Sequence, residues 1–237
     1  MRREILSADG LEVYYGRSQV LFGMSLKVRQ GDTLALLGRN GAGKSTTMKA
    51  LVGLLPLRAG RVQLNGVAIE GRATFRIARA GVGYVPEDRQ IFPDHTVEDN
   101  LTIGAKAGEN GLDYWNLERV YEMLPLLGPL KNRLGGQLSG GEQQLLTIGR
   151  TLMGNPSVVL LDEPSEGLAP IMVRRVGELI RQLREVGTTI VLAEQNLHFC
   201  LGLADGAVVI DRGRAVYEGT IAELRANAEV KQRYLSV

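Results

Sequence analysis

Apolar positions along this chain fall into short blocks whose period changes from one block to the next. Thr33–Leu37 (T-L-A-L-L), Val158–Leu161 and Thr188–Ala193 are continuous apolar runs of strand length. Runs of that kind suit strands covered on both faces. Residues 4–15 and 20–28 read as two earlier strands, the second closing at Gln30-Gly31. Arg61–Asn65 and Val67–Ile69 flank Asn65-Gly66, a pair suited to a tight hairpin turn. Val82–Val85 is a short strand stopped by Pro86, and Val208–Ile210 with Ala215–Tyr217 predicts a last strand pair. Helical spacing fills the intervals. Thr46–Val52 lacks Pro and Gly, Thr74–Ala80 is a short helix, and Gly140–Met153 sets Leu145, Ile148, Gly149 and Leu152 on one face. Pro170 suits a first helical position. From it to Val186, Val173, Val176, Ile180 and Leu183 face one way, with Arg174, Arg181 and Arg184 largely elsewhere. Leu197–Leu203 is a further helix, and a short helical piece ends the chain.

Residues 95–135 change character. Thr96 with Asp99 forms a capping-box pattern, and the stretch to Leu127 is helical in pattern with Trp115, Tyr121 and several leucines. It carries no strand signal, so an inserted helical subdomain is expected, with Trp115 and Met123 in its core.

Gly38–Ser45 reads G-R-N-G-A-G-K-S and matches the phosphate-loop pattern GxxxxGK followed by Ser or Thr. A strand precedes it and a helix follows. Glycines let consecutive N–H groups point at phosphate oxygens, and the positive end of the helix adds to the attraction. Lys44 then reaches the β- and γ-phosphates, and the Ser45 hydroxyl ligates Mg²⁺. The chain is expected to bind a nucleoside triphosphate through Gly38, Arg39, Asn40, Gly41, Ala42, Gly43, Lys44, Ser45 and Thr46. The fold expected is α/β: a P-loop NTPase core with a mainly parallel sheet, an N-terminal antiparallel β-subdomain and the inserted α-helical subdomain. Residues 1–237 form one domain in this reading, with 1–92 and 153–237 as the core and 93–152 as the helical part.

Composition narrows the partners. In 237 residues, Lys and Arg number 28 against 26 acids, and a net charge of +2 leaves no nucleic-acid footprint. Cys200 is the single cysteine, which excludes an internal disulfide, fits a reducing compartment and suggests packing on a helix. No apolar run approaches the roughly 18 residues a membrane span needs. Without an apolar signal segment at the N-terminus, the chain is expected in the cytoplasm unless a partner holds it at a membrane.

Leu138–Gln143 reads L-S-G-G-E-Q. Ser139 and Glu142 alone make an ordinary capping box. The glycine pair is unexplained by a cap, since each glycine in a helix costs up to about 1 kcal/mol relative to alanine. Close approach to a phosphate would explain it. This motif, lying between the phosphate loop and Asp162-Glu163, resembles the signature of the ABC (ATP-binding cassette) family, and the resemblance covers nearly the whole chain.

The resemblance implies an ATPase that pairs head to tail with a second one. Each ATP would lie between one chain's phosphate loop and the other's Ser139, Gly140, Gly141 and Glu142. Asp162 would hold Mg²⁺ through water, Glu163 would polarise the attacking water, and Tyr15 would stack on adenine, with Tyr14 as its rival. Glu87 stands where the family usually has a Mg²⁺-sensing Gln, Gln195 where it has a switch His, and Ala169 where a segment normally ends in Asp. A glutamine can donate a hydrogen bond to phosphate but carries no imidazolium charge.

V-P-E, S-x-G-L-A-P and E-Q-N together resemble the smaller ATPase subunit of branched-chain (hydrophobic) amino-acid importers. Related importers of urea or other small solutes have similar ATPases. Such systems join two different ATPases, two integral-membrane permease subunits and a solute-binding protein, so the chain would sit on the inner face of the cell membrane through the permeases, paired with a different ATPase or, as the alternative, with a second copy of itself. Ile91 and Phe92 are the expected apolar contacts to a permease helix. An exporter or lipid-transport ATPase and a non-transport ABC ATPase are the alternatives; the second usually carries coiled coils or a charged linker that this chain lacks.

Overall fold

The computed structural model describes residues 3–108 and 114–235. Chain order begins β1 (Glu4–Tyr15), β2 (Ser18–Arg29), β3 (Thr33–Leu37), α1 (Lys44–Leu51), β4 (Ala59–Leu64), β5 (Val67–Ala68), α2 (Thr74–Arg79) and β6 (Val82–Val85). Among the described residues, α3 (Val97–Ile103), α4 (Leu117–Met123) and α5 (Gly140–Met153) follow. The chain then alternates through β7 (Val158–Asp162), α6 (Pro170–Glu185), β8 (Thr189–Glu194), α7 (Leu197–Leu201), β9 (Gly206–Asp211) and β10 (Arg214–Thr220). It closes with α8 (Ile221–Ala226), α9 (Ala228–Val230) and a single π-helical turn over Lys231–Leu235.

The continuous apolar runs assemble into one six-stranded sheet of order β10-β9-β3-β8-β7-β6. Its five strands from β9 to β6 are parallel, and only the edge strand β10 is antiparallel. The N-terminal strands form a separate antiparallel sheet, β2-β1-β4-β5. The expected α/β class, with a mainly parallel sheet and an antiparallel β layer, is what the chain adopts.

Within the apolar runs a period of two separates the faces. Ala35, Leu37, Val159, Leu161, Ile190 and Leu192 face the helices, including α3, α5 and α6. Leu34, Leu36, Val158, Leu160, Val191 and Ala193 face the antiparallel sheet and α1. Each leucine, isoleucine or valine among them contributes roughly 1.5–3 kcal/mol on burial. A helix N-cap contributes about 1 kcal/mol, so the strands set the fold and the caps trim its ends. Trp115 and Cys200 both lie in the helix-side core.

The stretch 95–135 is less helical than its pattern suggests. Helix occupies Val97–Ile103 and Leu117–Met123, with single 3-10 turns at Gly128–Leu130 and Gly135–Gln137. Gly104, Pro125, Pro129 and Gly135-Gly136 interrupt it, since neither residue type sustains a helix interior. Thr96 and Leu134 form an isolated antiparallel bridge. Residues 109–113 of this stretch lie outside the described residues.

Register brings the chemistry to one edge. Leu37 at the end of β3 pairs with Glu194, and Asp162 at the end of β7 pairs with Ala193. The phosphate-loop segment thus leaves the sheet at its carboxyl edge, where open α/β sheets bind ligands. A turn on the opposite flank supports it. Arg212 and Gly213 both have positive φ (46° and 74°), as a two-residue type I′ hairpin turn requires. Gly213 donates to the Ala42 carbonyl at 2.8 Å and accepts from the Phe22 amide at 2.9 Å. A Cβ there would overlap the Val20 carbonyl oxygen. Gly213→Ala is therefore expected to destabilise the chain by about 2 kcal/mol or more. A denaturant midpoint unchanged from the unmodified protein would contradict this.

Candidate functional site

Gly43, with φ 114°, ends the loop, and the Lys44 amide opens α1. The Lys44 side chain is buried and folds back over the loop. Its ammonium donates to the carbonyls of Gly38 at 2.8 Å and Arg39 at 3.1 Å, and lies 3.0 Å from Glu163 Oε1. Next to it, the Ser45 hydroxyl donates to Asp162 Oδ1 at 2.9 Å. The loop and the end of β7, far apart in sequence, thus meet through two side-chain pairs.

Four carboxylates surround this point, and they are not equivalent. Asp162 is raised above the usual carboxylate range by burial, while hydrogen bonds from Ser45 and Tyr84 work the other way. Glu163 is also driven up by burial, but hydrogen bonds with Glu166 and Lys44 and the Lys44 charge outweigh that and hold it below its usual range. Glu166 is pushed up to about 7, chiefly by the hydrogen bond with Glu163, then by burial and neighbouring acids. Buried Glu194 is raised by burial and accepts from the Ser165 amide at 3.1 Å. Glu163 itself has φ 48°, uncommon for a residue with a side chain. That turn is held by its amide donating to Ala193 O at 2.9 Å and by its carbonyl accepting from Glu166 N at 3.1 Å.

The other sequence-predicted residues are distributed as follows. Arg39, Asn40 and Gly41 are exposed at the loop tip, and Gly38, Ala42, Gly43 and Thr46 are buried. Tyr15 is 47% exposed, whereas the Tyr14 hydroxyl is tied to Gln19 Oε1 at 2.8 Å, which leaves Tyr15 the better placed to offer a ring face. Glu87 is exposed after β6, and its charge reaches Asp162. Gln195 is exposed after β8. Ser45 and Asp162 present hydroxyl and carboxylate oxygens side by side, a donor set that suits a hard cation such as Mg²⁺.

Ser139–Glu142 stands apart from this cluster at the start of α5. Ser139 and Glu142 form a reciprocal capping box. A Cβ on Gly140 would lie 2.8 Å from the Arg89 guanidinium, and one on Gly141 would collide with Met172. The glycine pair thus has a packing role inside its own chain that the sequence did not reveal. Arg89 and Gln90 both have positive φ (63° and 46°). Their carbonyls accept from Thr147 Oγ1 at 2.9 Å and Arg150 Nη2 at 2.7 Å respectively, which ties the segment after β6 to α5. Ile91 packs into the core, while Phe92 stays 42% exposed beneath the Arg150 guanidinium.

Sequence reading missed Tyr84, Glu166 and Glu194. Glu166 gives a measurable consequence. Its pKa is raised by folding, so its stabilising contribution is fully present below the usual carboxylate range and is lost as pH rises through about 7. The thermal midpoint is expected to fall less between roughly pH 6 and 8 in Glu166→Gln than in the unmodified chain. Parallel melting curves across that range would contradict it.

Comparison with known proteins agrees with this geometry. Residues 21–166 match the ABC transporter family. The high-affinity branched-chain amino acid transport ATP-binding protein BraG of Pseudomonas aeruginosa is 41% identical over 98% of this chain and 99% of its own. The lipopolysaccharide export system ATP-binding protein LptB of Escherichia coli is 32% identical over 97% of this chain and 96% of its own. The ADP conformation of MJ1267, an ATP-binding cassette of an ABC transporter, has a TM-score of 0.80 at 29% identity and 97% coverage of both chains. A nucleotide-free ATP-binding cassette has a TM-score of 0.82 at 29% identity, covering 99% of each. The chain therefore belongs to the ABC transporter family and is one of its ATPases.

Proposed function

We propose that this chain binds ATP with Mg²⁺, hydrolyses it, and powers an importer of branched-chain or other hydrophobic amino acids. The contact of Lys44 with Glu163 at 3.0 Å carries the reading of the site. It sets a phosphate-binding cation and a water-polarising carboxylate against each other at the loop mouth. When phosphate enters, Lys44 turns to it and Glu163 is released to orient water. Ser45 and Asp162, with Glu87 nearby, would hold Mg²⁺, which supplies charge neutralisation for the phosphates. Tyr15 stacks on the base, the loop amides of Gly38–Thr46 bind the phosphates, and Gln195 donates a neutral hydrogen bond.

Ser139, Gly140, Gly141 and Glu142 serve the nucleotide of a second ATPase subunit. Their hydrogen bonds stay within the start of α5, away from the loop, so a facing chain is the natural recipient. That second subunit is a different ATPase in this reading, and two permease subunits bind both. Phe92 and its neighbours receive a cytoplasmic helix of the permease, which holds the chain on the inner face of the membrane. Among the described residues no helix is long and apolar enough to cross a membrane, which is compatible with that arrangement.

Similarity to BraG supports import of amino acids, together with the V-P-E, S-x-G-L-A-P and E-Q-N segments. Similarity to LptB favours a second reading, an ATPase of an export system. The test uses the native membrane complex carrying Glu163→Gln. ATP binding should persist, turnover should fall by roughly two or more orders of magnitude, and the co-purifying permease should support amino-acid uptake in its unmodified form. Near-normal hydrolysis would refute the role of Glu163, and an export permease in the complex would refute import.

A further inference from the structure

Tyr84 borders two places at once. Its phenol donates to Asp162 Oδ2 at 2.9 Å, while the Ser45 hydroxyl donates to Oδ1 at the same distance. The residue also lines a cavity of about 590 Å³ with Leu54, Phe92, Ile103, Arg150 and Thr151. Its strand register is fixed, because Tyr84 pairs with Leu160 across β6 and β7, two residues short of Asp162. From there the side chain runs along the sheet to the aspartate.

The terminal torsion of an aspartate is broad, with no deep well to hold its oxygens. Orientation must come from partners. Ser45 alone would leave Oδ2 free to swing, because its single proton serves only Oδ1, even when an oxygen lone pair is given to a cation. The Tyr84 phenol is the donor that fixes the second oxygen. A phenol keeps its proton at neutral pH, so it serves as a donor to this carboxylate. Outer partners of this kind typically change metal affinity or activity by roughly 10–100-fold.

We infer that Tyr84 is a positioning residue for the nucleotide–metal site, its hydroxyl locking the Asp162 carboxylate while its ring forms part of the apolar cavity wall. The inference rests on the proposed Mg²⁺–ATP reading. It makes the metal-side aspartate dependent on a residue that shares a cavity wall with Phe92, the residue assigned to the permease contact.

Tyr84→Phe keeps the ring and removes only the donor. A fluorescent ATP analogue reports binding without turnover as Mg²⁺ is titrated into the full chain. The half-saturating Mg²⁺ concentration should rise roughly tenfold, while analogue binding in excess EDTA stays unchanged. In an Asp162→Asn background, adding Tyr84→Phe should cause no further shift, which a purely structural role would not predict. A Mg²⁺ titration that superimposes on that of the unmodified chain overturns the inference, as does an equal shift in the Asp162→Asn background. An unmodified chain whose analogue binding ignores Mg²⁺ would overturn the metal assignment beneath it, and the inference with it.

Discussion

A buried ammonium facing a buried carboxylate governs this site. Stranding one member of such a pair ordinarily costs roughly 3–5 kcal/mol, so neither Lys44 nor Glu163 can move without a replacement partner. Lys44 also donates to two loop carbonyls, and Glu163 also shares a hydrogen bond with Glu166. A phosphate is the replacement that suits Lys44 best, because it restores a full charge-assisted bond. On the proposed reading, the pair would couple occupancy of the loop to the freedom of the carboxylate without any large movement of the backbone. Glu163 is already held with positive φ by Ala193 and Glu166, so its backbone is set before a nucleotide arrives.

The rest of the fold serves to hold the two ends of that pair in register. β3 delivers the loop, β7 delivers Asp162 and Glu163, and β8 lies between them and pairs with both. Two cores, one on each face of the sheet, keep the three strands from sliding. A one-residue slip would exchange Leu160 with Leu161 between cores and turn Asp162 away from Ser45. Further out, the segment after β6 connects this edge to α5 through the carbonyls of Arg89 and Gln90. Tyr84 in the cavity wall is bonded directly to Asp162.

Local chemistry was legible in the sequence, and remote pairing was not. The loop, the capping boxes at Thr96 and Ser139 and the Asn65-Gly66 turn depend on residues a few positions apart, and all are formed. The continuous apolar strands were readable because a sheet covered on both faces needs no polar alternation. Tyr84 with Asp162, Glu166 with Glu163 and Glu194 with Ser165 depend on strand register or on turn geometry that no local pattern encodes. Gly141 shows a different difficulty. Its small size suggested a ligand, yet Met172 of α6 occupies the space beside it. Ile91 and Phe92 look alike in sequence, but the two positive-φ residues before them send the first inward and leave the second exposed. Within 95–135 the leucines misled, because among the described residues glycine and proline cut the helices short.

The competition for Lys44 can be measured directly, by calorimetric titration of a non-hydrolysable ATP analogue into the isolated chain without Mg²⁺. In Glu163→Gln the ammonium faces a neutral amide, so phosphate displaces a weaker partner. The analogue should then bind severalfold more tightly than it does to the unmodified chain. Equal or weaker binding would mean that phosphate does not compete with Glu163 for Lys44, and the coupling drawn from that contact would be wrong.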